Sequence, residues 1–462
     1  MRFQTVHTPT SLTEGPISQA LISFALPLLL GNLFQQLYNT ADSLIVGNFL
    51  GSEALAAVSS SGNLIFLMVG LVNGVSMGAG VVIARYFGAK DYDRIQKTIH
   101  TLLAFGLVAG ALLTVVGVAL SPVMLRLMDT PETVLPDSIS YFRTYFTGSL
   151  AFVLYNICMG ILQAVGDSRH PLQYLIISSL VNVVLDLLFV GVFHMGVWSA
   201  AAATAISQLV SMALCLLRLM RSERAYRVSL RKIRFDRRAL LEILQNGLPA
   251  GLQNSIISIG NVVVQSNINQ FGAAAMAGCG AHSRIEGFGF LPVTCFTMAL
   301  TTFVSQNLGA KEYGRAKEGA RFGVISCMVM AEGVALLIYL LAPQLLSLFG
   351  GDPDMIAFGI RYARTVTPFY FLMAFSHAVA SVLRGTGKAV VPMVVLAVCW
   401  CLVRVIYISL FSASFTDLRQ VVFVYPITWF LSTLVFVIFR FTVGWIPKPP
   451  ASSPATEPAK SR

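Results

Sequence analysis

The sequence predicts an all-α polytopic membrane protein. Twelve transmembrane helices form two pseudo-symmetric six-helix bundles, a parallel repeat about an axis along the membrane normal, around a central cavity. Three observations predict this. The 462-residue chain is 56% hydrophobic and 11% charged, less than half the roughly 25% charge usual in soluble domains. Its mean hydropathy is +0.73, and its apolar runs reach the roughly 18 residues that mark a membrane helix. The runs are too long and uniform for the alternating strands of a barrel. The chain also repeats itself at an offset near 221 residues: YFGAKDYDR (86–94) matches NLGAKEYGR (307–315), YFRT (141–144) matches YART (362–365), and GSEALAAV (51–58) resembles GAAAMAGC (272–279).

In chain order, span 1 covers 17–46, where ISQALISFALPLLLG leads into the polar stretch QQLYNTADS, and span 2 covers 55–84. Spans 3 and 4 are the apolar runs 98–120 and 139–164. Span 5 is 172–193 with one acid, and span 6 is 198–219. Spans 7 (240–268) and 8 (275–306) are apolar runs interrupted by Asn, Gln and Gly. Spans 9 to 12 are 319–341, 358–383, 390–412 and 420–443. Six spans per copy is an even number, so both copies enter the membrane from the same side and the repeat is parallel. The expected organisation is an N-terminal segment 1–16, an N-lobe 17–219, a basic linker 220–239, a C-lobe 240–445 and a disordered tail 446–462 rich in Pro, Ala and Ser.

The formal net charge of +11 is a matter of topology rather than of nucleic-acid binding. RLMRSERAYRVSLRKIRFDRR (218–238) holds nine Arg or Lys, RYFGAKDYDRIQK and KEYGRAKEGAR four each, and RGTGK two. All follow even-numbered spans. The linkers after odd-numbered spans are poor in Lys and Arg: MDTPETVLPD and GGDPDM contain none. This positive-inside bias predicts that both termini are cytoplasmic. The basic linker can also touch anionic lipid. The polar N-terminus carries no cleavable signal pattern. The seven cysteines, among them the pair Cys399 and Cys401, are irregularly spaced in apolar runs and predict no disulfide framework.

Acids inside membrane spans are costly and read as functional. In span 1, Asn32, Gln35, Asn39 and Asp42 recur at three- or four-residue spacing with Tyr38 beside them, one helix face that must look into the bundle or a watery lumen. In span 5, Asn182 and Asp186 stand one turn apart and make half of a hard-cation site. Thr204 of span 6 can add a hydroxyl oxygen. Oxygen-only ligation suits Na⁺ or a proton, not a soft transition metal. At the repeat offset Asp42 falls on Val263 or Val264, next to Gln265, and Asp186 on Tyr407, so ion chemistry is expected in the N-lobe alone. Asn156, Gln265 and Glu286 are candidates for lining the lumen. Glu286 has a second reading as an ion pair with Arg284. Glu332 and Arg404 read as a paired structural charge, and His377 as a hydrogen-bonded core histidine. Pro27 removes a backbone hydrogen bond and can let span 1 bend. G-V-S-M-G (74–78) fits a hydrolase elbow only in spelling, because that elbow needs a strand, a turn and a helix. Gly70, Gly74 and Gly78 read instead as a small-residue packing face. No phosphate-loop, dinucleotide or metalloprotease motif is present, so no enzyme activity is expected.

PLLLGNLFQQLYNTADSLIVGNFLG, the G-A-K-[DE]-Y-x-R loop after span 2, its echo after span 8, and N-x-x-x-D in span 5 together resemble the MATE family of multidrug and toxin exporters, most closely its bacterial DinF-like branch. The resemblance covers roughly residues 12–445. It implies that Asp42, Asn182, Asp186 and Thr204 form an N-lobe H⁺ or Na⁺ site. It also implies a monomeric antiporter of the bacterial plasma membrane, without a resident cofactor, that exports small organic molecules, often cationic and aromatic. Some branches place acids in spans 7 and 10. This chain has Asn254, Asn261, Gln265, Asn267 and His377 there, which argues against such a C-lobe site. A lipid-linked sugar flippase of the same superfamily fits less well, since those usually have fourteen spans and a strongly cationic lumen. A membrane receptor or scaffold that transports nothing is a further alternative, disfavoured by the full-length repeat and the intramembrane acids.

Overall fold

A computed structural model of the chain describes residues 12–127 and 131–447. Of the expected N-terminal segment, 1–11 lie outside the described residues, as do 128–130 of the loop after span 3 and 448–462 of the expected tail. Among the described residues there is no strand. Span 1 is Ile17–Leu50, span 2 Ser52–Gly88 and span 3 Tyr92–Leu127. Span 4 is the pair Leu135–Thr147 and Ser149–Ala164, span 5 Arg169–Val192 and span 6 Trp198–Met220. Span 7 is Arg237–Asn269, and span 8 the pair Ala273–Gly289 and Leu291–Gly309. Spans 9 to 12 are Tyr313–Ser347, Pro353–Gly385, Val390–Ser414 and Leu418–Thr442.

Among the described residues, eight spans are long and apolar enough to cross a membrane as single helices, and ten when bent spans 4 and 8 are included. Most helices run past the apolar limits expected from sequence, because their polar ends stay helical beyond the hydrocarbon zone. The two bends were not expected. Span 4 turns by 47° at Gly148, where an added Cβ would strike Ala205 of span 6. Span 8 turns by 43° at Phe290, just before Pro292, which supplies no N–H to continue the first segment.

The parallel repeat is written in the backbone. Gly51 and Gly272 (φ 90 and 93), Lys90 and Lys311 (φ 55 and 62), and Gly166 and Gly387 (φ 90 and 82) each lie 221 residues apart in the left-handed region. For the two lysines this is a conformation a side chain resists. Both sit in the G-A-K loops, whose following N–H groups bond back to the helix end: Asp91 N to Tyr86 O at 3.0 Å and Glu312 N to Asn307 O at 2.8 Å.

The basic linker is a folded strap. Between Met220 and Arg237 it forms a short 3₁₀ turn, Leu230–Lys232, and lies on the start of span 3. Gln96 Nε2 donates to the carbonyls of Ala225 and Arg227, His100 Nε2 accepts from Ser229 N at 3.1 Å, and Thr101 Oγ1 accepts from Asp236 N at 3.0 Å. Tyr226 and Val228 are buried beneath it. Asp236 then caps span 7 by accepting from Ala239 N at 2.9 Å.

The lobes meet along spans 2 and 7. Gly74 and Gly78 face Gly251 and Gly247 so closely that a Cβ on Gly74, Gly78 or Gly247 would enter the opposite backbone. Gly70 meets nothing within 4 Å, so the small-residue face is confined to the other two. At the basic-loop end the contact becomes a seal. Ser305 Oγ donates to Val81 O at 2.6 Å, and Gln306 Nε2 to Ala164 O at 2.8 Å. Tyr86 OH bonds Glu242. The chain preceding span 1 is tied to the C-lobe: Leu12 N donates to Gln306 Oε1 at 3.1 Å, Asn307 Nδ2 to Leu12 O at 3.2 Å, and Arg315 to the carbonyls of Gly15, Glu14 and Leu12 at 2.7, 2.9 and 3.2 Å. Among the described residues, the one interlobe hydrogen bond away from this end is Asn32 to Cys295 Sγ, 3.1 Å.

Gly78→Val should overpack this seam and cost about 1–3 kcal/mol, read as a lower unfolding temperature of the purified protein. Gly70→Val should leave that temperature unchanged.

Candidate functional site

Span 1 runs unbroken through Pro27 and carries the polar stripe along the inside of the N-lobe. Its far half meets span 5 just where that helix changes pitch. Asn182 and Asp186, both fully buried, close the α-helical part, and a π-helical turn, Leu187–Val192, follows directly. Such wider turns commonly mark functional sites in helices. The carboxyl groups of Asp42 and Asp186 are close neighbours, each in the field of the other. Asn182 Nδ2 points to Thr204 Oγ1 at 3.5 Å, and that hydroxyl donates to Ala200 O at 3.1 Å. The four residues singled out in three spans are therefore brought together.

The cluster leaves several of its oxygens unpaired. Asp42 Oδ1, Asn182 Oδ1 and both carboxylate oxygens of Asp186 are buried with no hydrogen-bond partner, and so is Gln208 Oε1 of span 6. Among the described residues no Lys, Arg or His pairs with either acid, and no group of three or more His, Cys, Asp or Glu could hold a metal ion. Each unsatisfied buried acceptor costs roughly 1–3 kcal/mol, more when charged. A proton or a small hard cation is what such an oxygen cluster can take up. Tyr141 is buried beside the acids and close enough to feel both charges. Sequence reading missed Tyr141 and Gln208 as parts of this site. The signal for Tyr141 was present, because it opens YFRT, one of the repeat matches.

A separate cavity of about 560 Å³ lies between the lobes. Span 1 contributes Pro27, Asn32 and Gln35, span 4 Asn156, span 7 Gln253 and Asn254, and span 10 His377 and Arg384. Gln35 and Asn156, two of the lumen candidates, are on its wall, and so is Pro27, singled out in the sequence only as a bend point. Tyr38, Asn39, Gln265 and Glu286 do not line it. Tyr38 instead lies between Gln35 at the cavity and Gln208 near the acids. Gln265 is exposed and donates to Asn269 Oδ1 at 2.9 Å.

Two expected ion pairs are corrected. Glu286 does not pair with Arg284 among the described residues. It faces Tyr370 and lies in the field of Arg404. Nor does Arg404 pair with Glu332. Arg404 is 1% exposed, donates to Asn261 Oδ1 at 2.5 Å and Thr428 Oγ1 at 3.4 Å, and lies 4.6 Å over the Tyr425 ring and 5.5 Å from Trp400. Aromatic faces and an amide satisfy it without a carboxylate. His377, expected to be hydrogen-bonded in the core, sits edge-on to Trp400 at 5.2 Å on the cavity wall. The C-lobe counterparts of the acids carry no charge: Val264 is buried, and Tyr407 OH donates to Gln420 O at 2.8 Å.

Comparison with known proteins gives a consistent result. The MatE family model matches residues 27–188 and again 249–410. The chain is 30% identical over 403 residues to the probable multidrug resistance protein YpnP of Bacillus subtilis, covering 87% of this chain and 90% of that one. It is 28% identical over 390 residues to the probable multidrug resistance protein YoeA of the same organism, covering 83% and 84%. Its fold superposes on that of a MOP superfamily transporter from Pyrococcus furiosus with a TM-score of 0.87 at 24% identity, covering 94% and 97% of the two chains.

Asp186→Asn brings an amide donor to the orphaned oxygens and removes one of two facing carboxylates. In Na⁺-free buffer it should raise stability by about 1–3 kcal/mol, measured by thermal unfolding. Adding Asp42→Asn should gain less than a second equal increment, since the two sites share one interaction.

Proposed function

The chain belongs to the MatE family, and from that premise we propose that it is a secondary antiporter. It exports small organic compounds in exchange for H⁺ or Na⁺ by alternating access. The observation that carries this reading is the cluster of buried, unpartnered oxygens of Asp42, Asn182, Asp186 and Gln208, with Thr204 beside it. Such a cluster is stable only with something positive inside it, and it lies on the same helix as the cargo cavity without being part of it.

Span 1 couples the two. Its Asp42 end packs against spans 5 and 6, while Asn32 and Gln35 form cavity wall. Loading the cluster neutralises the facing carboxylates and favours tighter packing of span 1 against span 5. Emptying it restores their repulsion. Pro27, fifteen residues before Asp42 and itself on the cavity wall, is the point where the helix gives. Positive-inside charge sets the basic-loop end, where the lobes are sealed, at the cytoplasm. The cavity then faces outward, ready to release cargo and load the ion. Both termini are cytoplasmic in this orientation, and the transporter works as a monomer in the bacterial plasma membrane. One positive charge moving inward down 100 mV supplies about 2.3 kcal/mol, a cargo gradient of about fifty-fold.

In proteoliposomes with an imposed ion gradient, the unsubstituted protein should build such a cargo gradient. Asp42→Asn and Asp186→Asn should each collapse it to passive equilibration. Imposing Na⁺ and pH gradients separately identifies the ion. Export from both variants that matches the unsubstituted protein would sink the mechanism.

A further inference from the structure

We propose that the interlobe cavity takes cargo bearing an anionic group, a carboxylate or a phosphate, on a flat and otherwise uncharged body. This rests on the reading that the cavity carries cargo. Its basis is the charge of the lining. Among the described residues no carboxylate lines the cavity, and Arg384 is the only permanently charged one that does. His377 stands on the same face of span 10, seven residues earlier and so about 10 Å away along the helix. The remaining polar lining is neutral, amides of spans 1, 2, 4 and 7 and hydroxyls in equal number, which can donate or accept. Phe24, Phe152, Tyr155 and Phe290 supply aromatic surface.

Arg384 is also under-used. Of its five N–H donors, Nη2 reaches Ser381 Oγ at 2.9 Å, and Nε is buried without a partner. No carboxylate stands within ion-pair distance of it among the described residues. Arg85, close by at Gly387, likewise has an Nη2 with no partner, so the sealed end of the cavity is positive on two sides. The nearby acids are already engaged: Glu242, in the field of Arg85, accepts from Tyr86 OH and stands 3.6 Å from Arg238 Nε. Asp167, behind the cavity residue Ser168, turns its Oδ2 to His170 Nδ1 at 2.6 Å and its Oδ1 to His170 N at 3.2 Å. Asp42 and Asp186 lie farther along the N-lobe and do not line the cavity. A planar guanidinium with free donors matches a carboxylate or phosphate in shape as well as charge. A cationic cargo would meet Arg384 with no acid on the wall to offset it.

The test is dye binding to the full chain in detergent, followed by fluorescence anisotropy with carboxyfluorescein as the flat anion and ethidium as the flat cation. Carboxyfluorescein should bind at least about tenfold more tightly, and Arg384→Gln should weaken it at least about tenfold while sparing ethidium, with Arg384→Lys keeping most of the affinity. On the unsubstituted protein, phenyl phosphate or benzoate should displace carboxyfluorescein and benzyl alcohol should not. This arm needs no variant to fold, and the stronger competitor tells phosphate from carboxylate. Tighter binding of ethidium, no binding of carboxyfluorescein, or a folded Arg384→Gln that binds it normally would each overturn the proposal. Ion-driven export of ethidium without anion binding would overturn this inference alone. Anion binding through Arg384 without ion-driven flux would overturn only the antiport reading.

Discussion

The backbone contact between span 2 and span 7 is the constraint on which the rest of the structure depends. Four glycines remove the side chains that would hold the lobes apart, and the two helices approach until their main chains touch. In a membrane no hydrophobic force joins helices, so association depends on such close approach and on polar links. The seam fixes the angle between the lobes, the angle leaves a cavity on one side of it, and the hydrogen bonds around Ser305 and Gln306 close one end. Glycines also bring main chains together elsewhere, Gly88 and Gly309 between spans 2 and 8 and Gly260 against Trp400 within the C-lobe, but the longest such line joins spans 2 and 7. Here a single methyl would alter the relation of the two halves.

The repeat that builds the lobes is faithful in backbone and broken in chemistry. Matching glycines and lysines adopt the same left-handed conformations 221 residues apart. Tyr141 and Tyr362 also lie at that offset, one beside the N-lobe acids and the other beside His282 at a ring distance of 4.5 Å. At the level of Asn182, however, the C-lobe has Arg404. One lobe presents oxygens that lack a cation. The other holds a cation on its own side chain, already satisfied by Asn261 and two aromatic rings. A covalently held charge cannot exchange with solvent, so the two lobes cannot respond alike to an ion.

Much of this was legible in the sequence because membrane burial imposes simple rules. Apolar runs located the spans, and charge placement together with the repeat separated the halves. The cost of Asp42 and Asp186 in an apolar setting marked the residues that do come together. What stayed hidden depends on which helix faces which. Gln208 looks like any amide until span 6 is placed beside span 1. Glu332 and Arg404 looked like partners because each was a lone charge, yet the rings of Tyr425 and Trp400 were the better match. Arg384 read as one more basic residue of a loop, since RGTGK continues a pattern of positive linkers. The structure places it in the last turn of span 10, facing inward. Bends at Gly148 and Phe290 depend on neighbouring helices and leave no periodic trace.

The five hydrogen bonds that hold Leu12, Glu14 and Gly15 to Gln306, Asn307 and Arg315 join the start of the chain to the opposite lobe. Leu12 is 1% exposed, seated like a bolt in its keeper. Parting the lobes at that end therefore requires withdrawing the bolt first, so the first residues ahead of span 1 set a barrier that the cavity and the oxygen cluster do not control. In the proposed cycle the speed is then governed partly by a stretch of main chain that touches neither cargo nor ion.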